Sequence, residues 1–342
     1  MNTPKYVFDK NEIIRCYHEM KKMMAFGDVY YALKANSEIG VLEVLENIGA
    51  KFEVASMEEF NKLLTIGVSP RRIICGAPVK KIEMIRHLFS KGCNYFVFED
   101  IRELEKLQKF APGAQKILRV YISDIAPDSI GFGMNVEMIN YYKDSLPWFL
   151  SAIEGITFHI SNNDNIDVCI RTLERIEKLL LQMSGNKIKI LNIGGSYQLT
   201  APNFFFEILN EKLERIKKVY NLRVICEPGA AIVHTAGKVI TEVVLVKDQD
   251  GFFDVFIDTG IPSGLNTRRP GSVNIVNRSI EPGKRTFYRF FDTTCLHRQL
   301  FLLPLKYKIM EGDIMELGNL GAYTVCFKND FHAWKKPAVE IC

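Results

Sequence analysis

The chain has 342 residues, 47% apolar and 25% charged, and Lys+Arg 44 against Asp+Glu 40 leaves a net charge of +4. This balance excludes global disorder, since so much apolar side chain can bury a large core, and the charge is too weak for a nucleic-acid surface. No apolar run is long enough to span a membrane, and the opening MNTPKYVFDKNEIIRC lacks the charged-then-apolar order of a signal peptide.

Eight β-rich runs precede residue 230: VYYALKA (29–35), KFEVAS (51–56), RIICGAP (72–78), YFVFED (95–100), KILRVYI (116–122), GITFHIS (155–161), KIKILNIGG (187–195) and RVICEPG (223–229). Each is nearly continuously apolar, as in parallel strands covered by helices on both faces. Helical patterns fill the gaps. Val41, Leu42, Leu45 and Ile48 share one face, and Gly49 stops that helix. Ser56 with Glu59, and Asp100 with Glu103, sit where N-cap and N3 partners belong. Residues 167–183 and 204–220 repeat apolar positions at spacings of three and four. Eight strands alternating with helices predict a (β/α)₈ barrel over residues 10–235. Beyond it, KVITEVVLVKD, FFDVFIDTG, YRFFDTTC, LPLKYKIMEGDIMELG and GAYTVCFK are strands broken by Gly, Pro and Asp, with no helix of any length. They predict an antiparallel β domain over 236–342, joined by residues 1–9.

In such a barrel, chemistry lies at the C-terminal ends of the strands. Lys34 ends the first strand, among apolar and aromatic neighbours. A lysine desolvated there loses its proton more readily and can form a Schiff base. His159 ends the sixth strand, Gly194-Gly195 the seventh and Glu227 the eighth. Each also has a structural reading: a surface lysine, a core histidine, an ordinary tight turn, a carboxylate paired with a neighbouring Lys or Arg. Together they are the parts that hold pyridoxal 5′-phosphate: a Schiff-base lysine, a stacking ring, a phosphate turn and a carboxylate for the pyridine nitrogen. The eight cysteines contain no C-x-x-C pair. They read as reduced thiols of a cytoplasmic protein, not as a zinc site, and no metal is expected.

The chain resembles the fold-type III pyridoxal-phosphate-dependent decarboxylases, the family of ornithine, arginine and diaminopimelate decarboxylases. YYALKANS resembles the lysine motif, and KFEVASMEEF the second-strand motif with Glu53 in place of the usual Asp. IICGAPVK, FVFEDIRELEKL, ILRVYI, FHIS, NIGGS, CEPG, DTTC and NLGAYTV follow in the family's order. The resemblance implies a homodimer acting on a small-molecule amino acid by α-decarboxylation. Lys34, His159, Glu227 and Cys295 are the implied catalytic residues, with Cys295 reaching the partner's barrel to protonate the α-carbon. DTTCLHRQLF, ending in Leu300 and Phe301, reads as a buried interface loop, or otherwise as a core segment. Arg119, Asn162, Gly194, Gly195, Ser196 and Tyr323 join them as implied cofactor contacts.

The departures bear on substrate and phosphate. Ala230 stands where the family carries an arginine, Ser196 where it carries a third glycine, and Ser161-Asn162-Asn163 where small residues are usual. Diamine-forming members place an acid after the catalytic cysteine and a second in the segment matching FIDTGIPSGLN. Here Leu296 and Thr259 occupy those places, with Asp258 adjacent. Ornithine and lysine are therefore expected to be poor substrates. A larger or neutral one, such as S-adenosylmethionine or a natural-product intermediate, fits better. His297 and Arg298 could instead meet an acidic distal group, as in diaminopimelate. An amino-acid racemase of the same fold and a non-catalytic pyridoxal-phosphate carrier are the rivals. A short chain ending soon after GAYT is compatible with a domain of a longer protein.

Overall fold

The computed structural model describes residues 2–122, 131–160, 165–183, 187–265, 269–296 and 298–342. A first strand, β1 (Lys5–Phe8), and helix α1 (Lys10–Met23) precede a closed barrel of eight parallel strands. These are β2 (Asp28–Ala32), β3 (Lys51–Val54), β4 (Ile73–Cys75), β5 (Tyr95–Phe98), β6 (Gln115–Arg119), β7 (Gly155–Thr157), β8 (Ile190–Asn192) and β9 (Arg223–Cys226). β9 closes on β2 through Asp28↔Ile225 and Val29↔Cys226. All eight runs read from the sequence are strands, each shorter than its run. The ladder stops near the mouth, so the chemistry-bearing residues lie just past the strand ends.

Helices α2 (Ile39–Asn47), α3 (Met57–Thr65), α4 (Ile82–Ser90), α5 (Ile101–Phe110), α6 (Val136–Ser145), α7 (Ile166–Gln182), α8 (Asn203–Tyr220) and the short α9 (Ala230–Val233) connect the strands. Ser56 caps α3 by accepting from Glu59 N, and Glu59 reaches back to Ala55 N. Asp100 caps α5 through Arg102 N. Glu103 does not return that bond as expected. It is 4% exposed and pairs with Lys80 at 3.3 Å and with Lys106. Lys80 also donates to the carbonyls of Ala77 and Val97, so a buried charge cluster binds the turn after β4 to β5 and α5. Burial leads the lowering of the Lys80 ammonium pKa below the ordinary lysine value.

The barrel interior is filled by Tyr30, Ile74, Val97, Ile117, Ile190 and Ile225, a layer of branched and aromatic side chains. Asp28 accepts from Lys51 Nζ at 2.5 Å and Arg223 Nε at 2.6 Å, which ties β2 to its neighbours on both sides. Arg223 also donates to the hydroxyls of Tyr30 and Tyr95.

The second sheet contains β1, β10 (Gly237–Gln249), β11 (Phe252–Ile257), β12 (Ser272–Ile275), β13 (Thr286–Asp292), β14 (Gln299–Leu305), β15 (Ile314–Gly318) and β16 (Ala338–Ile341). It is mostly antiparallel, but β1 pairs with β16 and β11 with β13 in parallel. The chain divides into two compact units: 16–33 with 45–231, and 1–15 with 34–44 and 232–342. Residues 10–15, 34–44 and 232–235, expected with the barrel, cluster with the β unit instead. No described helix is long and apolar enough to cross a membrane.

Candidate active site

In the barrel unit, the expected residues past β7, β8 and β9 form a connected set. Thr157 ends β7, and His159 follows with its ring exposed between buried Phe158 and Ile160. The core-histidine alternative is thereby excluded. His159 Nε2 lies 3.3 Å from Ser196 Oγ. Gly194 has φ +69°, and a Cβ there would stand 2.6 Å from Phe158 O and 2.9 Å from His159 Nδ1. A Cβ on Gly195 would collide with Glu227 O. Only glycine permits this turn to approach both neighbouring segments. Ser196 follows at φ 71°, a left-handed conformation that a side chain adopts at some strain. The third glycine of the family pattern would relieve that strain, but the serine gains the bond to His159.

Glu227 is half-buried one residue beyond β9. Its partner is neutral, not the Lys or Arg of the structural reading. Asn192 Nδ2 donates to Glu227 Oε1 at 2.6 Å, and Asn192 Oδ1 accepts from Gly194 N at 3.0 Å. Asn192 is fully buried at the end of β8. The sequence reading missed this residue. Its only local signal is a polar side chain interrupting the apolar run KIKIL-N-IGG.

Arg119 ends β6 with its guanidinium 5.3 Å from the centroid of the Phe132 ring. Glu53 is 2% exposed on β3, and a Cβ on Gly76 would collide with its carboxylate. The glycine after β4 makes room for an acid longer than the usual Asp. Asn162 and His297 lie outside the described residues.

In the β unit, Lys34 occupies a 3₁₀ turn, Leu33–Ala35, two residues past β2. Leu33 and Ala35 are fully buried, but Lys34 itself is exposed. This corrects the expectation of a lysine desolvated by its own flanks. The turn is laced to the segment carrying Tyr323. Tyr323 N donates to Ala35 O at 2.8 Å, Asn36 Nδ2 to Gly321 O at 3.0 Å, and Lys328 pairs with Glu38 at 3.0 Å. Tyr323 has φ 52°, so the contact holds it in a sparsely populated conformation.

Cys295 is exposed, as are Leu296 and Arg298. Leu300 and Phe301 are not part of an exposed loop but buried in β14, where the Phe290 and Phe301 ring centroids are 4.7 Å apart. These two residues fit the core-segment alternative, while Cys295, Leu296 and Arg298 before them stay exposed. Asp258 accepts from Thr241 Oγ1 at 2.6 Å and Glu242 N at 2.9 Å, which commits it to the sheet. Thr259 is fully buried, and its hydroxyl has no hydrogen-bond partner among the described residues.

A family model described as pyridoxal-dependent decarboxylase, pyridoxal binding domain, matches residues 10–234. Ornithine decarboxylase of Schizosaccharomyces pombe is 25% identical over 98% of this chain and 82% of its own length. Antizyme inhibitor 2 of Xenopus laevis is 26% identical over 98% and 80%. Among solved structures, the arginine decarboxylase of Paramecium bursaria Chlorella virus superposes with a TM-score of 0.89 at 21% identity, covering 100% of this chain and 97% of the other.

Proposed function

Because this chain belongs to the pyridoxal-dependent decarboxylase family, we propose that it removes the α-carboxylate of an amino acid as CO₂ and returns the amine. The observation that carries this reading is the Asn192-held Glu227 carboxylate beside the Gly194-Gly195 turn. The barrel unit fits the cofactor. The turn has no space for a Cβ, so only bare backbone stands there, and a phosphate could approach it closely.

Bound there, pyridoxal phosphate would supply the electron sink for the pair left behind by CO₂. Lys34 would hold its aldehyde carbon, and the exposed face of His159 would stack on its ring. Gly194, Gly195, Ser196 and Tyr323 would hold its phosphate. Glu227 keeps a proton on the pyridine nitrogen, because an opposite charge within about 4–6 Å favours the charged form. Cys295 gives its thiol proton to the α-carbon, where it replaces the lost CO₂. We further propose a homodimer in which Cys295 serves the partner's barrel. That the eight cysteines are not joined in disulfides suits a reducing, cytoplasmic setting.

Substrate preference follows from the loops past β11 and β13. Thr259 and Leu296 carry no charge, and Asp258 is already committed. An ammonium buried without a carboxylate costs about 3–5 kcal/mol, which is roughly two to three and a half orders of magnitude in affinity. Ornithine and lysine should therefore be poor substrates. Relatives bearing ornithine and arginine in their names lend no support to S-adenosylmethionine. The likeness to an antizyme inhibitor keeps a non-catalytic role as the second reading. Lys34, Glu227 and Cys295 together favour the enzyme.

The test is incubation with L-ornithine, L-lysine, L-arginine and meso-diaminopimelate, following CO₂ and chirality. CO₂ release, strongly reduced in Glu227→Gln with cofactor retained, is expected. Loss of chirality without CO₂ would indicate a racemase, and no reaction a carrier. Rapid turnover of ornithine or lysine would overturn the substrate preference.

A further inference from the structure

Asp292 is a buried carboxylate, 4% exposed, at the end of β13. Strands β11 and β13 run parallel with Ile257 opposite Asp292, so the loops that follow them leave the sheet side by side. One loop carries Asp258 and Thr259, the other Cys295 and Leu296. Asp292 bonds to both. Its Oδ1 accepts from Thr294 N at 3.0 Å and from the Thr294 hydroxyl, while Oδ2 accepts from Ile261 N at 3.1 Å. Thr294 Oγ1 in turn accepts from Leu296 N at 3.4 Å. A Cβ on Gly260 would collide with Asp292, so the first loop is shaped to admit the acid.

Three donors converge on one group that can only accept. An amide would present N–H₂ to at least one of them, and alanine would leave the part-buried Ile261 N–H without this acceptor. Both carboxylate oxygens are bonded within the chain and the residue is 4% exposed, which suits a role in the fold rather than reception of a substrate's ammonium.

We propose that Asp292 is the positioning residue of the Cys295 loop, clipping the turn that carries the thiol to the turn that carries Thr259. This rests on the reading of Cys295 as the proton donor. Asp292 acts through where Cys295 stands and touches no reacting atom. One buried acid then sets both the donor and the neighbouring pocket wall, so the two cannot shift independently.

The test is a double-mutant cycle on the cofactor-loaded enzyme, with whichever of L-arginine, meso-diaminopimelate, L-ornithine or L-lysine is turned over fastest. At a temperature well below melting, Asp292→Ala should lower kcat by between about ten- and a hundredfold, part of what a positioned proton donor contributes. Asp292→Asn should lose less. In a Cys295→Ala background the further loss should stay within about twofold, the ordinary error of additivity. Alkylation of Cys295 by iodoacetamide, read by peptide mass spectrometry, should change rate in Asp292→Ala without any turnover being required. Should Asp292→Ala not fold, Thr294→Ala removes one arm of the clip and carries the same cycle.

A full-sized Asp292→Ala loss that persists in the Cys295→Ala background would overturn the positioning role, as would an unchanged alkylation rate. Undiminished turnover by Cys295→Ala alone would instead overturn the reading of the thiol.

Discussion

Asn192 Nδ2 stands 2.6 Å from Glu227 Oε1, while Asn192 Oδ1 accepts from Gly194 N. One buried amide thus joins the acid past β9 to the turn past β8. With Oε1 held, the carboxylate cannot rotate freely, and the Gly194 turn is fixed by the same side chain. A hydrogen bond to a charged group contributes about 1.5–3 kcal/mol. Asn192→Ala should therefore weaken pyridoxal-phosphate binding by roughly ten- to a hundredfold. Cofactor titration followed by absorbance checks this. Wild-type affinity in the variant would mean that Glu227 and the turn hold their positions unaided.

Asp28 gives the barrel an acid-sensitive seam. Burial alone would raise its carboxyl pKa, but the hydrogen bonds and charges of Lys51 and Arg223 hold it below the ordinary value of 3.8. A depressed carboxylate contributes stability that is fully present above the unfolded value and lost as pH falls through the folded one. The melting temperature should thus fall as pH drops below about 4, and Asp28→Asn should flatten part of that limb. Identical acid limbs in the variant and the wild type would remove Asp28 from this account.

Thr259 carries a buried hydroxyl with no partner among the described residues. Leaving such a group unsatisfied costs about 1–3 kcal/mol, whereas an apolar group of the same shape avoids the cost. Thr259→Val should raise stability in urea by about 1 kcal/mol. Destabilisation of the same size would mean that the hydroxyl is satisfied in solution.

Local pattern revealed the barrel because each strand is apolar on both faces and each helix has one apolar stripe. It located Lys34, His159, Gly194, Gly195 and Glu227 because strand ends are visible as apolar runs stopping at a polar or glycine residue. Pairings between distant segments leave no such local trace. Glu103 looks like a capping partner of Asp100 but is drawn into the Lys80 cluster, which forms only when β4, β5 and α5 meet. Asn192 and Asp292 each look like one polar residue at a strand end. Their roles come from Glu227 and Ile261, 35 and 31 positions away. The parallel pairs β1–β16 and β11–β13 join segments far apart in sequence, so the strand pattern alone does not reveal them.

The proposed dimer predicts complementation. Chains carrying Lys34→Ala, inactive, and Cys295→Ala, cut to a small residual rate, should on mixing form hybrids with one intact site and one lacking both residues. Random exchange makes half the dimers hybrid, so up to about a quarter of wild-type activity should return. No recovery from demonstrably exchanged subunits would mean that each chain completes its own site.

The most direct test of the central claim is where the cofactor attaches. Protein incubated with pyridoxal phosphate, reduced with borohydride and digested should carry the pyridoxyl group on the peptide containing Lys34, and Lys34→Ala should carry none. Label on another lysine, or no uptake of the cofactor at all, would contradict the assignment of this chain as a working pyridoxal-dependent decarboxylase.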